Sequence, residues 1–264
     1  MKLKTVQILS IAALIGSAAN LASAADQDSP WSLSISGGDS VGSSGTLSSS
    51  RSAPVDLGKL DPALAGASGT LSLDKLRYDD LFERRYDVGA EVGYSFSDQL
   101  QAFTRFDYES LGGRTTQLGT LAGAALPSRE GLSARFADAN NYSLDVGARY
   151  FWRTGTTWRP FAGAALGATH LDGTSAVVKS EDGSLDLGTV RFTRSGTVFN
   201  QMAEAGIEYR PSDAFGVRLS VDARHEGAPD NADDARFSAA GVNPGSEAEG
   251  SWSYPVTIAA SYHF

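Results

Sequence analysis

The side chains best suited to acid–base chemistry are three histidines, His170, His225 and His263. A hydrolase needs a base within hydrogen-bond reach of a nucleophile, and His225 has the best surroundings for that role because Asp222 and Glu226 are close in sequence. A histidine in such a place is more often a solvated residue at the edge of a loop. The sequence therefore identifies no catalytic residue, and we expect a protein that is not an enzyme and has no cofactor.

A second set of charged residues alternates with apolar residues along several segments. Arginine binds carboxylates in bidentate pairs, so charges that share one face of such segments predict a network of ion pairs. Its expected members are eight carboxylates and four arginines: Asp87, Glu91, Asp107, Glu109, Asp145, Glu204, Glu208, Asp222, Arg105, Arg149, Arg218 and Arg224.

The elements that carry these charges are β-strands with one apolar face. From Tyr86 to Phe96 every second residue is apolar, and polar residues or glycine lie between, which is the period of a strand. Eight segments are predicted as strands on this basis: 31–36, 86–96, 100–109, 142–150, 158–170, 199–209, 215–224 and 252–264. The faces of the alanine- and glycine-rich segment 158–170 contrast little, and we assign Trp158 and Leu166 to the outward face.

The connections between these strands alternate in length. Short turns lie near residues 97–99, 153–156 and 211–214, and long polar segments cover about 38–85, 110–140, 171–195 and 227–250. Outer-membrane barrels combine an even strand number with short periplasmic turns and long extracellular loops. The sequence thus predicts an all-β fold, an eight-stranded antiparallel up-and-down transmembrane β-barrel.

The N-terminal segment has the pattern of a secretory signal peptide. Two lysines precede an apolar stretch, and Ala22-Ser23-Ala24 gives a small-x-small cleavage site. We expect residues 1–24 to be cleaved and residues 25–264 to form the barrel in the bacterial outer membrane. Cleavage removes Lys2 and Lys4, which leaves 20 basic and 31 acidic side chains, a net charge of −11. That acidity argues against a nucleic-acid partner, and the absence of cysteine excludes disulfides and thiolate-bound zinc.

A water-soluble β-sandwich or lipocalin-like barrel would also give alternating strands. Two features argue against it. Aromatic residues cluster at both ends of the predicted strands, for example Tyr94 and Trp158 near short turns and Tyr142 and Trp252 near long loops, as in the two interfacial girdles of membrane barrels. The other face of the strands is charged, which would disrupt the interior of a soluble protein.

The last strand ends with Val256-Thr257-Ile258-Ala259-Ala260-Ser261-Tyr262-His263-Phe264. With the signal peptide and the strand layout, this ending resembles the small eight-stranded outer-membrane proteins of the OmpA transmembrane-domain and OmpX-like families. The resemblance implies that Tyr262 and Phe264 form the signal read by the outer-membrane assembly machinery. It also implies a structural or cell-surface, adhesion-type role, with outer-membrane lipid and lipopolysaccharide as surroundings.

The interior of an eight-stranded barrel is about wide enough for side chains to fill. We therefore expect the charged network to close the lumen. The alternative is a small porin-like pore for solutes or ions, because the carboxylates outnumber the arginines. A lipid A-modifying enzyme is a third possibility, although the deacylase family's His-x-Ser arrangement is missing here.

The long loops carry the remaining signals. Segments 175–180 and 185–190 flank Glu181-Asp182-Gly183-Ser184, and an Asp-Gly pair between extended segments predicts a hairpin that projects above the membrane. Such a strand edge could pair with an extracellular ligand, or the hairpin could only shield the rim of the barrel. The serine- and glycine-rich stretch 37–52 predicts a flexible loop. The acidic fourth loop, with Asp230, Asp233, Asp234, Glu247 and Glu249, lacks calcium-loop spacing.

Overall fold

A computed structural model describes residues 30–60, 62–126, 129–152, 155–232 and 248–264. The signal-peptide prediction for residues 1–24, and Asp233, Asp234 and Glu247 of the acidic loop, lie outside these ranges. The strands in chain order are β1 Trp31–Ser44, β2 Thr46–Ser48, β3 Arg51–Asp56, β4 Ser68–Leu73, β5 Leu76–Arg77, β6 Phe82–Ser95, β7 Leu100–Gly113, β8 Thr115–Gly123, β9 Glu130–Phe136, β10 Ala139–Phe151, β11 Trp158–Leu171, β12 Ser175–Ser180, β13 Asp186–Arg191, β14 Gly196–Tyr209, β15 Phe215–Glu226 and β16 Ser251–His263. The short helices are α1 Leu57–Leu60 and α2 Tyr78–Leu81, with a 3₁₀ turn at Pro62–Leu64.

Eight of these strands form a closed antiparallel barrel in the order β1-β16-β15-β14-β11-β10-β7-β6. The first and last strands close it, with Leu33 opposite Tyr262 and Ser44 opposite Trp252. The N–H of Phe264 donates to the carbonyl of Trp31 at 3.0 Å, which extends this pairing by one residue. The predicted fold class is confirmed, including all eight barrel strands.

The two faces of the barrel are inverted relative to a soluble protein. Apolar side chains such as Val146 and Leu166 point outward and are 61% and 58% exposed. Charged side chains such as Arg149 and Asp145 point inward and are buried. Water would penalise this arrangement on both faces, whereas a bilayer solvates the outer face. In β11 the outward assignment of Trp158 and Leu166 is confirmed, because Arg159 and Phe161 are buried.

The first three long loops contain regular secondary structure in their described parts. They supply the strands of a second sheet, in the order β13-β12-β9-β8-β4-β3, and β2 pairs separately with β5. We call these two sheets, with α1 and α2, the outer layer, because long loops of outer-membrane barrels face the cell exterior. The prediction of a flexible loop at 37–52 is wrong: β1 continues to Ser44, and Leu47 of β2 is fully buried.

The outer layer has a hydrophobic core of its own. Leucines from three of the four long loops are buried in one cluster, including Leu71 of β4, Leu132 of β9 and Leu187 of β13. Tyr78 lies in the same cluster and donates its hydroxyl to the carbonyl of Glu249 at 3.1 Å. Burial raises the pKa of this phenol. The loops therefore fold together around apolar side chains, as a small domain does.

The predicted hairpin is present as β12 and β13. Gly183 has a φ of +75°, a left-handed conformation that favours glycine, and its N–H donates to Ser180 O at 3.0 Å. Asp182 accepts hydrogen bonds from the Ser180 hydroxyl and the Ser184 amide, which lower the pKa of the carboxyl group. Because β12 also pairs with β9, the hairpin is part of the outer layer and does not project alone.

Among the described residues, no helix is both long enough and apolar enough to cross a bilayer.

Candidate functional site

The centre of the lumen is occupied by Arg149, whose side chain is almost fully buried. Its Nε donates to Glu204 at 2.6 Å, and its terminal nitrogens donate to Glu91 at 3.1 and 3.0 Å and again to Glu204 at 3.1 Å. The guanidinium also lies over the rings of Phe103 and Phe161, 4.4 and 5.2 Å from their centroids. Arg149 therefore joins carboxylates from β6 and β14 across the interior and packs against two aromatic rings.

Further ion pairs cross the barrel on either side of this centre. Glu91 also accepts from Arg218 of β15 at 2.6 Å. Arg105 of β7 reaches Asp222 of β15 at 3.4 Å, and Arg224 of β15 reaches Asp107 of β7 at 2.8 Å. Strands β7 and β15 are four places apart in the closed barrel, so these pairs span its full width. Opposite walls of the lumen are thus tied together by charge-assisted hydrogen bonds.

Another pair closes the end of the lumen near the short turns. Arg159 lies 3.3 Å from Glu208 and stacks on Phe151, with its guanidinium carbon 4.3 Å from the ring centroid. Its Nη2 also donates to the carbonyl of Asp98 at 2.5 Å, which fixes the turn between β6 and β7. His263 lies on the other side of Glu208, with 3.8 Å between Nε2 and Oε1.

The space left in the interior is divided into small cavities. The largest near the barrel mouth measures about 40 Å³, the next about 30 Å³, and one beside Arg149 about 10 Å³. Arg105 lines the cavities of about 30 and 10 Å³, and Glu109 lines the cavities of about 40 and 30 Å³. Since one water needs about 10–15 Å³, each cavity has room for one or a few waters. Charged side chains, Arg105 and Glu109, therefore lie between neighbouring cavities.

All twelve residues expected in the network lie on strands of the barrel, and ten of them form ion pairs with one another or with Arg159. Asp87 and Glu109 have no ion pair in the described part of the chain. Asp87 lines the cavity of about 30 Å³, and Glu109 accepts a hydrogen bond from the side chain of Asn141 at 2.9 Å.

Sequence reasoning missed several contributors to this interior. Gln101 accepts from Arg149 at 2.9 Å, and Met202 contacts Arg105 through its sulfur. Phe103 and Phe161 also lie inside the barrel, where Arg149 packs over both rings. The signal that could have found them is their position, because each is a large apolar residue on an otherwise polar face.

The histidines do not form a catalytic constellation. His225 packs against Trp252 with the two rings tilted, with 4.9 Å between ring centroids. His170 contacts the hydroxyl of Ser195 at 3.1 Å through Nε2 and the hydroxyl of Thr197 at 3.1 Å through Nδ1. Catalytic triads place a carboxylate at this second nitrogen to stabilise the imidazolium, and here it is a neutral threonine. Within the described ranges, no cluster of three or more histidines and carboxylates is arranged to hold a metal ion.

The outer layer presents a defined solvent face. On β9 and β12 the side chains that point away from the core are those of Ser133, Arg135, Val177 and Lys179. Across the two strands, Arg135 pairs with Val177 and Ser133 pairs with Lys179. Lys179 forms an ion pair with Asp186 of β13 at 2.9 Å. Among these four residues only Val177 is apolar, and it is exposed. The other side of β9 and β12 packs into the buried core, which holds this face in a defined shape.

The inverted faces and the even number of strands in a closed barrel define a transmembrane barrel of the outer-membrane class. The family model described as outer membrane protein beta-barrel domain matches residues 9–245, so the chain belongs to that family. The family places the protein in the bacterial outer membrane.

Several solved structures are similar to this chain at low sequence identity. Neisserial surface protein A is 14% identical with a TM-score of 0.43, covering 89% of this chain and 98% of that one. OprG from Pseudomonas aeruginosa is 12% identical with a TM-score of 0.41, covering 91% and 100%. Ail, the attachment invasion locus protein of Yersinia pestis, is 12% identical with a TM-score of 0.36, covering 88% and 98%. No curated protein sequence matches the chain.

Proposed function

We propose that this protein acts at the cell surface by presenting the outer layer to other macromolecules, with the barrel as its membrane anchor. The observation that carries this proposal is that three long loops fold into one six-stranded sheet around a shared apolar core. Arg149 and its partners occupy the lumen beneath it, which supports a role of the barrel as an anchor. The role is adhesive or structural, and neither conduction nor catalysis is needed to explain the fold.

The energetics support a binding role over simple shielding. Ordering a loop costs roughly 1–2 kcal/mol of backbone entropy per residue, and here the loops offset that cost by burying leucines such as Leu71 and Leu132. A polar loop can cover a barrel rim without such a core. A rigid solvent face loses little further entropy when a partner binds, which favours affinity.

The test is attachment of whole cells. Bacteria that express the protein should be retained on immobilised extracellular-matrix proteins or on epithelial monolayers better than the same strain carrying an empty vector. The variant V177E/K179E changes two exposed side chains of the solvent face and should reduce retention to the vector level, because it adds two carboxylates to the centre of that face.

The matched control is A65E/K75E, which makes the same kinds of change at exposed positions of the loops outside the six-stranded sheet. It should leave retention unchanged, and surface levels of all variants are compared by immunolabelling. The proposal fails if the wild-type protein gives no more retention than the vector, or if both double variants lose it equally.

A further inference from the structure

The membrane-facing surface of β14 carries one side chain that lipid tails do not solvate. From Phe199 to Tyr209 the outward-facing residues of this strand are apolar or aromatic except Gln201. Directly opposite Gln201 on β11 lies Leu166, which is exposed on the same surface. Gln201 therefore places an amide within the apolar surface of the barrel, on the membrane side of the Phe199 ring.

This amide has unused hydrogen-bonding capacity. The side chain of Gln201 is exposed and forms no hydrogen bond with the described residues. Its polar neighbour across the sheet is His225 of β15, but the ring of His225 packs against Trp252. An unsatisfied polar group is costly in lipid, because no water is present to bond it. A glutamine amide both donates and accepts, so a second amide facing it would satisfy both functions.

A recessed block of alanines adjoins Gln201 on the same surface. On β11 and β14, Ala162 is opposite Ala205 and Ala164 is opposite Ala203. We call these four residues the alanine block. The row of Ala164 and Ala203 continues in Ala148 of β10 and Ala223 of β15. Larger exposed side chains such as Leu166 and Val221 stand beside the block, so the surface is recessed where each side chain is a single methyl group.

The two features together match what holds protein segments together in a bilayer. Apolar surfaces gain little from meeting there, because lipid tails already solvate them. Association depends instead on close packing at small residues and on hydrogen bonds between polar side chains. The alanine block provides the close packing and Gln201 the hydrogen bond. A lipid tail can fill the recess, but it has no donor or acceptor for the amide, whereas a second copy of the chain provides both.

We propose that this surface of β11 and β14 pairs with the same surface of a second copy, so that the protein forms a two-fold symmetric dimer within the membrane. A two-fold axis parallel to the membrane normal keeps the long loops of both copies on the outer side and brings like residues together. The two Gln201 amides then exchange two hydrogen bonds, and the alanine blocks let the barrel walls approach closely. The dimer places two outer layers side by side, whatever ligand they bind.

The test is energy transfer between copies of the mature chain, residues 25–264, refolded in phosphatidylcholine vesicles. The chain has no cysteine, so Lys75→Cys in the first long loop gives a single site for donor and acceptor dyes. Transfer should fall along a dimer dissociation curve as lipid is added. One side-chain hydrogen bond strengthens association in a membrane about three-fold, so Gln201→Leu should weaken dimerisation about ten-fold. A164F/A203F should abolish it, because two phenyl rings fill the recess.

Matched controls make the same changes elsewhere on the membrane-facing surface. Thr104→Leu removes an exposed polar side chain from β7, and A90F/A260F adds two rings on β6 and β16, either side of β1. Both should dimerise as the wild type does, and heat-modifiability on gels verifies that each variant is folded. Three results would overturn the proposal: wild-type transfer no higher than random proximity gives, which would leave lipid as the cover of this surface, unchanged dimerisation of Gln201→Leu and A164F/A203F, or equal losses in these variants and the controls.

Discussion

Replacing Arg149 by methionine should destabilise the barrel more than any single change on its surface. Methionine retains an apolar side chain between Phe103 and Phe161, so the packing loss is small. The electrostatic loss is large, because five hydrogen bonds to Glu91, Glu204 and Gln101 disappear. Two of these partners are carboxylates that stay buried.

The two carboxylates are affected unequally. Glu91 keeps Arg218 at 2.6 Å, whereas Glu204 keeps only Arg105, whose nearest nitrogen is 3.7 Å away. Removing one partner of a buried pair costs about 3–5 kcal/mol when the other charge is left without compensation. We therefore expect Arg149→Met to lower the free energy of unfolding by about 3–5 kcal/mol, mostly through Glu204.

The measurement is urea unfolding of the protein refolded in lipid vesicles, followed by tryptophan fluorescence. A second substitution identifies the cause: R149M/E204Q removes the stranded charge and should recover about 2 kcal/mol or more, since a neutral replacement of a buried pair is often tolerated. Arg129→Met is the control, because Arg129 is exposed and its change should stay within about 0.5 kcal/mol. A loss below about 1 kcal/mol for R149M, or no recovery in the double variant, would refute this account of the lumen.

Three further outcomes are expected. The wild-type protein should give no unitary currents in planar bilayers. The variant R105A/R149A should give small cation-preferring currents, because Arg105 lies between the cavities of about 30 and 10 Å³. Currents of equal size from both proteins would show that the network does not close the lumen. Phe264→Asp should reduce the heat-modifiable folded fraction in cells, because the last strand would end in a charge where an apolar residue now continues the pairing with β1; normal folded levels would count against the predicted assembly signal. Leu132→Ala leaves a cavity in the core of the outer layer and should destabilise this layer by about 2–5 kcal/mol. External protease should then cut the loops faster, while the barrel stays heat-modifiable. Unchanged cleavage would contradict a cooperative outer layer.

The strands of the barrel could be predicted from sequence because the membrane imposes strong contrast between their faces. Tyr86 to Phe96 alternates apolar and polar residues without interruption. The strands of the outer layer carry a weaker signal. Strand β3 contains Pro54, which suits an edge strand and normally argues against a central one, and β8 contains two glycines within nine residues. The length and glycine content of these segments predict loops. They form strands instead, because their leucines are buried in a common core.

The sequence predicts which residues belong to the ion-pair network, but not which of them pair with each other. Parity along a strand places Arg149 and Glu204 inside, because side chains alternate across the wall of a barrel. Which residues then meet depends on the stagger between strands and on reach across the lumen. Glu91 and Arg218 are three strands apart in the barrel and 127 positions apart in the chain, and no local pattern relates them.

The way the outer layer is assembled determines what an antibody can recognise. The six-stranded sheet takes β3 and β4 from the first loop, β8 and β9 from the second, and β12 and β13 from the third. An epitope on the solvent face that includes Arg135 and Val177 therefore combines residues from two loops. Synthetic peptides copied from one loop would not reproduce it, and a substitution in one loop can alter recognition of another.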